Sequence, residues 1–249
     1  MPTETVSHYL GLLQADPDDP SAVAGLRSAF GADEDEGSLR LLEAARQGHT
    51  GRSEHRAAAW LMELEAELVE ARDPELFVAL QRELGRVRQE ELLDDRGARA
   101  AWEAALERSP GHAELEEKIA AIDESEAKWE AIVDRFIGEA EAASDAALRT
   151  SLLTRAACLV WQYEPDTDVR DGRVDTLFRH ALDSDPAATR TARLFAETLR
   201  VRSRYEELAE VLSSSADAAR NRDDKLQLYL RAARGFVRTV QDTDRAASC

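Results

Sequence analysis

The chain has 249 residues, 43% of them hydrophobic and 6% aromatic, and a formal net charge of -18. A field of that sign repels the phosphates of nucleic acid and the anionic surface of a membrane, and no run of consecutive basic residues makes a local exception. Ala, Leu, Glu and Arg dominate while alternating runs of Val, Ile and Thr are missing, so the expected class is all-α.

The N-terminal stretch MPTETVSHYLGLLQADPDD lacks a basic segment followed by an apolar core, which predicts no secretory signal. No apolar window approaches the length of a membrane-crossing helix. Cys158 and Cys249 make no disulfide framework, and a reducing cytoplasm is the expected compartment. Lys occurs only at 118, 128 and 225 beside abundant Arg, a composition that points to a GC-rich bacterial genome.

In chain order, apolar residues at helical spacing predict helices near 3–14, 20–30, 38–47, 54–72, 74–92, 96–108, 111–123, 126–143, 146–163, 171–183, 187–201, 204–219 and 223–240, with another starting at 243. That is about 14 helices, paired as hairpins. The breaks LQADPDD (ending at Asp19), LERSPGHA (106–113) and LDSDPAAT (182–189) each follow one amphipathic helix and precede another. A polar residue before Pro is a helix start, since Pro lacks an N–H that would have no partner there.

Pro110 and Pro186 lie 76 residues apart, and the offset holds without a gap. KWEAIVDRF (128–136) lies over RYEELAEVL (204–212), LLTRAACLVW (152–161) over LYLRAARGFV (228–237), and DTD at 166–168 over DTD at 242–244. One helical hairpin buries too little apolar surface to stand alone, so stacking must supply the core. The expected architecture is a single right-handed α-solenoid over 1–249. It comprises divergent hairpins at 1–109, a four-helix repeat at 110–185 and a second, truncated copy at 186–249. The acidic segment GADEDEGS, 31–38, is the expected place for a local break. The second copy stops inside DTDRAASC, which predicts a fragment of a longer repeat protein with an uncapped C-terminal face.

Several residues resemble the tetratricopeptide repeat. Leu84-Gly85 fits its helix A pair, and Ala98, Trp102, Ala105 and Pro110 fit its helix B set with one extra loop residue. Val174, Phe178, Ala181 and Pro186 repeat the set, preceded by Ala156-Ala157 and Val160. The matches cover 78–110 and 150–186. The resemblance implies a protein-interaction scaffold with a concave groove lined by helix A. Projecting that register puts Arg82, Arg86 and Gln89 on the groove face of one hairpin, Gln162 on a second, and Arg234 and Arg238 on a third. Basic residues there suit the carboxylates of an extended peptide.

The constellations that suggest chemistry read better as structure. Ser109 and His112 become Asp185 and Ala188 at the repeat offset, and Ser and Asp share helix capping but no nucleophilic chemistry. His8, His49, His55, His112 and His180 have no metal-ligand spacing, and His49 and His55 are expected in a solvated loop. DEDEG at 33–37 puts Ser38 and Ala44 where a calcium loop needs Gly and Glu. GHTG at 48–51 is too short for a phosphate loop, and Cys158 is expected to be buried and inert. The reading is a non-enzymatic scaffold without cofactor or metal, binding a protein or peptide, with self-association through the C-terminal face as a further option. The alternative is a docking or sensor segment of a larger enzyme or regulator whose active domain follows residue 249.

Overall fold

The computed structural model describes residues 2–32 and 36–240, apart from the side chains of residues 2, 31, 32 and 238–240. The described residues form twelve α-helices and no strand. These are α1 (Pro2–Ala15), α2 (Pro20–Ala32), α3 (Glu36–Gly51), α4 (His55–Val69), α5 (Pro74–Glu91), α6 (Asp95–Arg108), α7 (Ala113–Ala142), α8 (Ala146–Tyr163), α9 (Thr167–Ser184), α10 (Thr189–Val201), α11 (Tyr205–Ala218) and α12 (Arg222–Val240). The expected count of about fourteen is corrected in one place: the helices anticipated at 111–123 and 126–143 are a single helix, α7. The helix anticipated from 243, with the second DTD and Cys249, lies outside the described residues, as do residues 33–35 of the acidic segment.

The 76-residue offset reappears in the helix boundaries. α7 starts at Ala113 and ends at Ala142, while α10 starts at Thr189 and α11 ends at Ala218. α8 starts at Ala146 and α12 at Arg222. What separates α10 from α11 is a turn at Ser203, left-handed with φ 57°. The Ser203 N–H donates to the Arg200 carbonyl, the Arg204 N–H to that of Leu199, and Arg202 Nε to that of Thr198. The counterparts in α7 are Glu126, Ala127 and Lys128. Ala is the strongest helix former, and a carboxylate at 126 has no proton to give a terminal carbonyl. The helix therefore continues.

The chain divides into two compact units, Met1–Ala120 and Ala121–Cys249. In the first, α1 packs on α2, α3 on α4, α4 on α5 and α5 on α6, with α1 also meeting α3 and α2 meeting α4. In the second, α8 through α12 pack consecutively, with α10 also meeting α8 and α12. Contact between nearest and next-nearest helices is the pattern of a helical solenoid. The first unit centres on Leu13, Leu26, Phe30, Leu42 and Leu61, continued by Met62, Phe77, Leu80 and Leu84. The second is built around Phe178 stacked on Phe195, ring centroids 5.1 Å apart, with Val160, Leu199 and Leu212 also buried. Each such side chain contributes about 1.5–3 kcal/mol by leaving water.

Aspartates open α5, α6, α8 and α9. Asp73 accepts from the Leu76 N–H, Asp94 from Gly97 and Asp145 from Leu148. Asp166 accepts from both Asp168 and Val169, which starts α9 at Thr167 instead of near 171. Pro74 takes the first helical position, as expected. Pro110 and Pro186 do not: they sit in turns, three residues before α7 and α10 begin.

Candidate interaction surfaces

Ser109 closes α6 and is followed by Pro110 and by Gly111 at φ 88°, the residue types and the positive φ of a type II turn. Across that turn the Ser109 hydroxyl and His112 Nε2 are 3.0 Å apart. The Ser109 side chain thus holds the imidazole and does not cap a backbone N–H. At the equivalent place, Asp185 Oδ1 accepts from the Ala187 N–H at 3.1 Å. No carboxylate pairs with His112 among the described residues, so nothing orients the ring as a general base requires.

His49 is another departure from expectation. It lies in the last turn of α3, 1% exposed, with Nδ1 2.8 Å from Glu54 Oε2. Arg52 Nε donates to the same oxygen at 2.8 Å, closing the turn at Ser53, whose φ is 55°. His55 begins α4 with Nε2 3.3 Å from Glu91 Oε2. The segment is a packed joint, not a solvated loop. Cys158 is half-buried. Among the described residues, no group of three or more His, Cys, Asp or Glu is arranged to hold a metal ion, and no helix is long and apolar enough to cross a membrane.

The first unit carries a cleft of about 340 Å³ between α5, α6 and the start of α7. Buried Trp102 and Leu115 form its floor, and Arg82, Glu83, Arg86, Glu114 and Lys118 its rim. Trp102 reaches its place because Gly85 leaves the space: a Cβ at 85 would fall 2.1 Å from Trp102 Nε1. That nitrogen donates to the Arg82 carbonyl at 3.2 Å. Every cation of the rim has a partner within the chain. Arg82 reaches Glu114 at 3.2 Å, and Arg86 reaches Glu83 at 2.6 Å and Glu90 at 3.0 Å. Lys118 lies 4.0 Å from Glu114 and over the Trp102 ring. Hydrogen bonding to Glu83, reinforced by Glu90, holds the Arg86 guanidinium above its usual range.

Arg82 and Arg86 are thus brought together at one cleft, and Gln89, half-buried, is further along α5. Gln162 lies half-buried at the end of α8 and Arg234 half-buried on α12, both in the second unit. The Arg238 side chain is outside the described residues.

A second cavity, about 390 Å³, lies within the second unit between the end of α7, the start of α8 and the end of α9. Ile137, Ala140, Leu153 and Leu177 give it an apolar lining, and Glu141, Arg149, His180, Asp183 and Ser184 surround it. Sequence reasoning passed over this place, since Glu and Asp on solvated helix faces are common. The available signal was the offset of 76, at which Glu141 becomes Asp217 while Leu153 becomes Tyr229. No protein-family model matches this chain, and no curated protein matches it in sequence.

Proposed function

We propose that the chain is a non-enzymatic protein-interaction scaffold, a right-handed superhelical array of the tetratricopeptide type. The observation that carries this is the coincidence of the sequence repeat with helix boundaries at 113 and 189, 142 and 218, and 146 and 222. Stacked repeats present long surfaces instead of one enclosed pocket. The close seat of Trp102 on Gly85 supports the family pattern of a small residue on helix A against a bulky one on helix B. In this reading Arg82, Arg86 and Gln89 bind a partner in the first unit and Gln162, Arg234 and Arg238 do so in the second, and a partner's carboxylates compete with Glu114, Glu83 and Glu90 for the α5 arginines. Affinity purification of the intact chain beside a variant with Arg82, Arg86, Arg234 and Arg238 all changed to Glu tests it. Loss of the retained protein from the variant is expected, and equal recovery overturns the groove.

Self-association is a second reading, favoured by α12. Leu226, Leu230 and Val237 are 55%, 45% and 55% exposed at helical spacing. Their counterparts on α8 include Thr150, which donates to the Ala181 carbonyl of α9, and Thr154, which is 2.9 Å from Thr191 of α10. α12 therefore presents a face of the kind that α9 and α10 cover on α8, and a second copy of the chain is the proposed occupant. Light scattering over a concentration series should show mass rising, and Leu226→Glu with Leu230→Glu should abolish the rise. A constant mass rules this out.

A further inference from the structure

The two cavities differ in how their charges are satisfied. In the first, each cation is paired with a carboxylate of the chain. In the second, Arg149 is committed to the end of α7, donating to the Ala140 and Ala143 carbonyls at 3.4 and 2.5 Å. Glu141 and Asp183 are exposed at the rim, and neither carries a side-chain hydrogen bond or ion pair among the described residues. Ala140, Leu153 and Leu177 beneath them are buried and apolar. An apolar floor lies below two carboxylates that have no partner of their own, and Arg149, held by carbonyls, leaves the rim one net negative charge, so a cation on an aliphatic stem gains at both ends.

The repeat supplies an internal control. In the second copy the position of Glu141 is Asp217, and the position of Leu153 is Tyr229. The Tyr229 hydroxyl donates to Asp217 Oδ1 at 2.5 Å. The same carboxylate is therefore satisfied from within the chain in one copy, whereas in the other it shares its cavity with an aliphatic side chain that has no proton to give.

We infer that the cavity between α7, α8 and α9 binds a protein segment presenting an aliphatic side chain flanked by Lys or Arg. The aliphatic group lies on Leu153 and Leu177. The cation takes the place of the missing donor at Glu141, and Asp183 on α9 receives the same or a neighbouring charge. A net charge of -18 draws such a segment in. This rests on the scaffold reading only in that the ligand is a protein; it uses another surface and the opposite ligand charge from the arginine groove.

Fluorescence anisotropy of the full chain with two labelled helical peptides tests it, one of Leu and Lys and the other with Glu at every Lys. The Leu/Lys peptide should bind and the Leu/Glu peptide should not. Glu141→Gln with Asp183→Asn should weaken binding about tenfold or more, the loss of charge-assisted hydrogen bonds. Glu130→Gln with Asp134→Asn makes the same change in net charge on exposed positions of α7 and should leave binding unaltered. Leu153→Tyr copies the donor of the second copy into the cavity and should abolish binding, with helicity by circular dichroism unchanged. Equal binding of the two peptides, equal weakening by the two charge pairs, or no binding of the Leu/Lys peptide each overturns the inference. A partner captured by the intact chain and held equally by the Glu141→Gln, Asp183→Asn variant would sink this site while leaving the scaffold reading intact.

Discussion

Ser203 carries the turn that divides into α10 and α11 the stretch that is the single helix α7 in the first copy. Its φ of 57° is a region where a Cβ crowds the following carbonyl, and Gly is the residue that occupies it without that cost. Ser203→Gly should therefore raise stability by about 0.5–1 kcal/mol, and Ser203→Val should lower it, read as shifts in urea midpoint at constant slope. A decrease for Ser203→Gly would mean that the hydroxyl, not the backbone, governs the turn. Beside it, Arg202 shows how a charge becomes structural. Its side chain is 8% exposed, its Nη2 is 2.8 Å from Asp175 Oδ1, and its guanidinium lies 5.8 Å from the Trp161 ring. Arg202→Ala should cost about 2–3 kcal/mol, since it strips a partly buried carboxylate of one partner. The loss falls short of a fully orphaned charge because Arg204 Nη1 also reaches Asp175. Hydrogen bonding to Glu207 and then Asp175 holds Arg204 above its usual range, so that second charge persists. Arg202→Lys keeps the charge without the planar fork and should recover only part of the loss.

At the scale of the helix, the pairing of α5 with α6 depends on one missing methyl. Adding a Cβ at Gly85 brings it 2.1 Å from Trp102 Nε1, so Gly85→Ala must displace a fully buried indole or break its bond to the Arg82 carbonyl. Overpacking of this kind costs about 1–3 kcal/mol, which exceeds the helix-propensity gain of about 1 kcal/mol. The same substitution at Gly138 in α7 meets nothing within 4 Å and should show the gain alone. Opposite signs for the two in chemical denaturation are the expected result. If Gly85→Ala also stabilises, the close approach of α5 and α6 is not what seats Trp102. The Leu84-Gly85 pair and Trp102 were legible in the sequence because a small residue opposite a bulky one, at helix spacing, has few other meanings. The helix starts near 74, 96 and 146 were legible from apolar periodicity, whereas the start of α9 was placed near 171 because Asp166 within EPDTD was not read as a cap. The continuity of α7 was not legible. Amphipathic periodicity reads the same on either side of Glu126-Ala127-Lys128, and only the missing left-handed residue separates one long helix from two. The buried His49–Glu54 contact escaped because Gly48 and Gly51 suggest a loop, whereas α3 runs through to Gly51.

For the molecule as a whole, charge decides which of the candidate ligands is favoured at long range. Salt at physiological strength screens exposed charges over about 8 Å, so the summed field of the surface steers a ligand over a reach that lengthens as salt falls, and at contact the local pairs act. A cationic segment approaching Glu141 and Asp183 is attracted at both ranges. An anionic peptide approaching Arg82 and Arg86 is repelled by the net charge of -18 and must then displace Glu114, Glu83 and Glu90, which already hold those guanidinium groups. Glu114→Gln frees Arg82 and reduces the repulsion together, so it should strengthen any anionic ligand of the α5 cleft while leaving the second cavity unaffected. The two surfaces also differ in how salt acts on rates. Raising salt from about 0.02 to 0.5 M shrinks the reach of the field several-fold and should slow association of the Leu/Lys peptide by about tenfold or more, with dissociation changing far less. For an anionic peptide at α5 the same change removes long-range repulsion and should speed association. Stopped-flow anisotropy across that salt range reads both, and an association rate for the Leu/Lys peptide that does not depend on salt would show that the acidic field takes no part in bringing it to the chain.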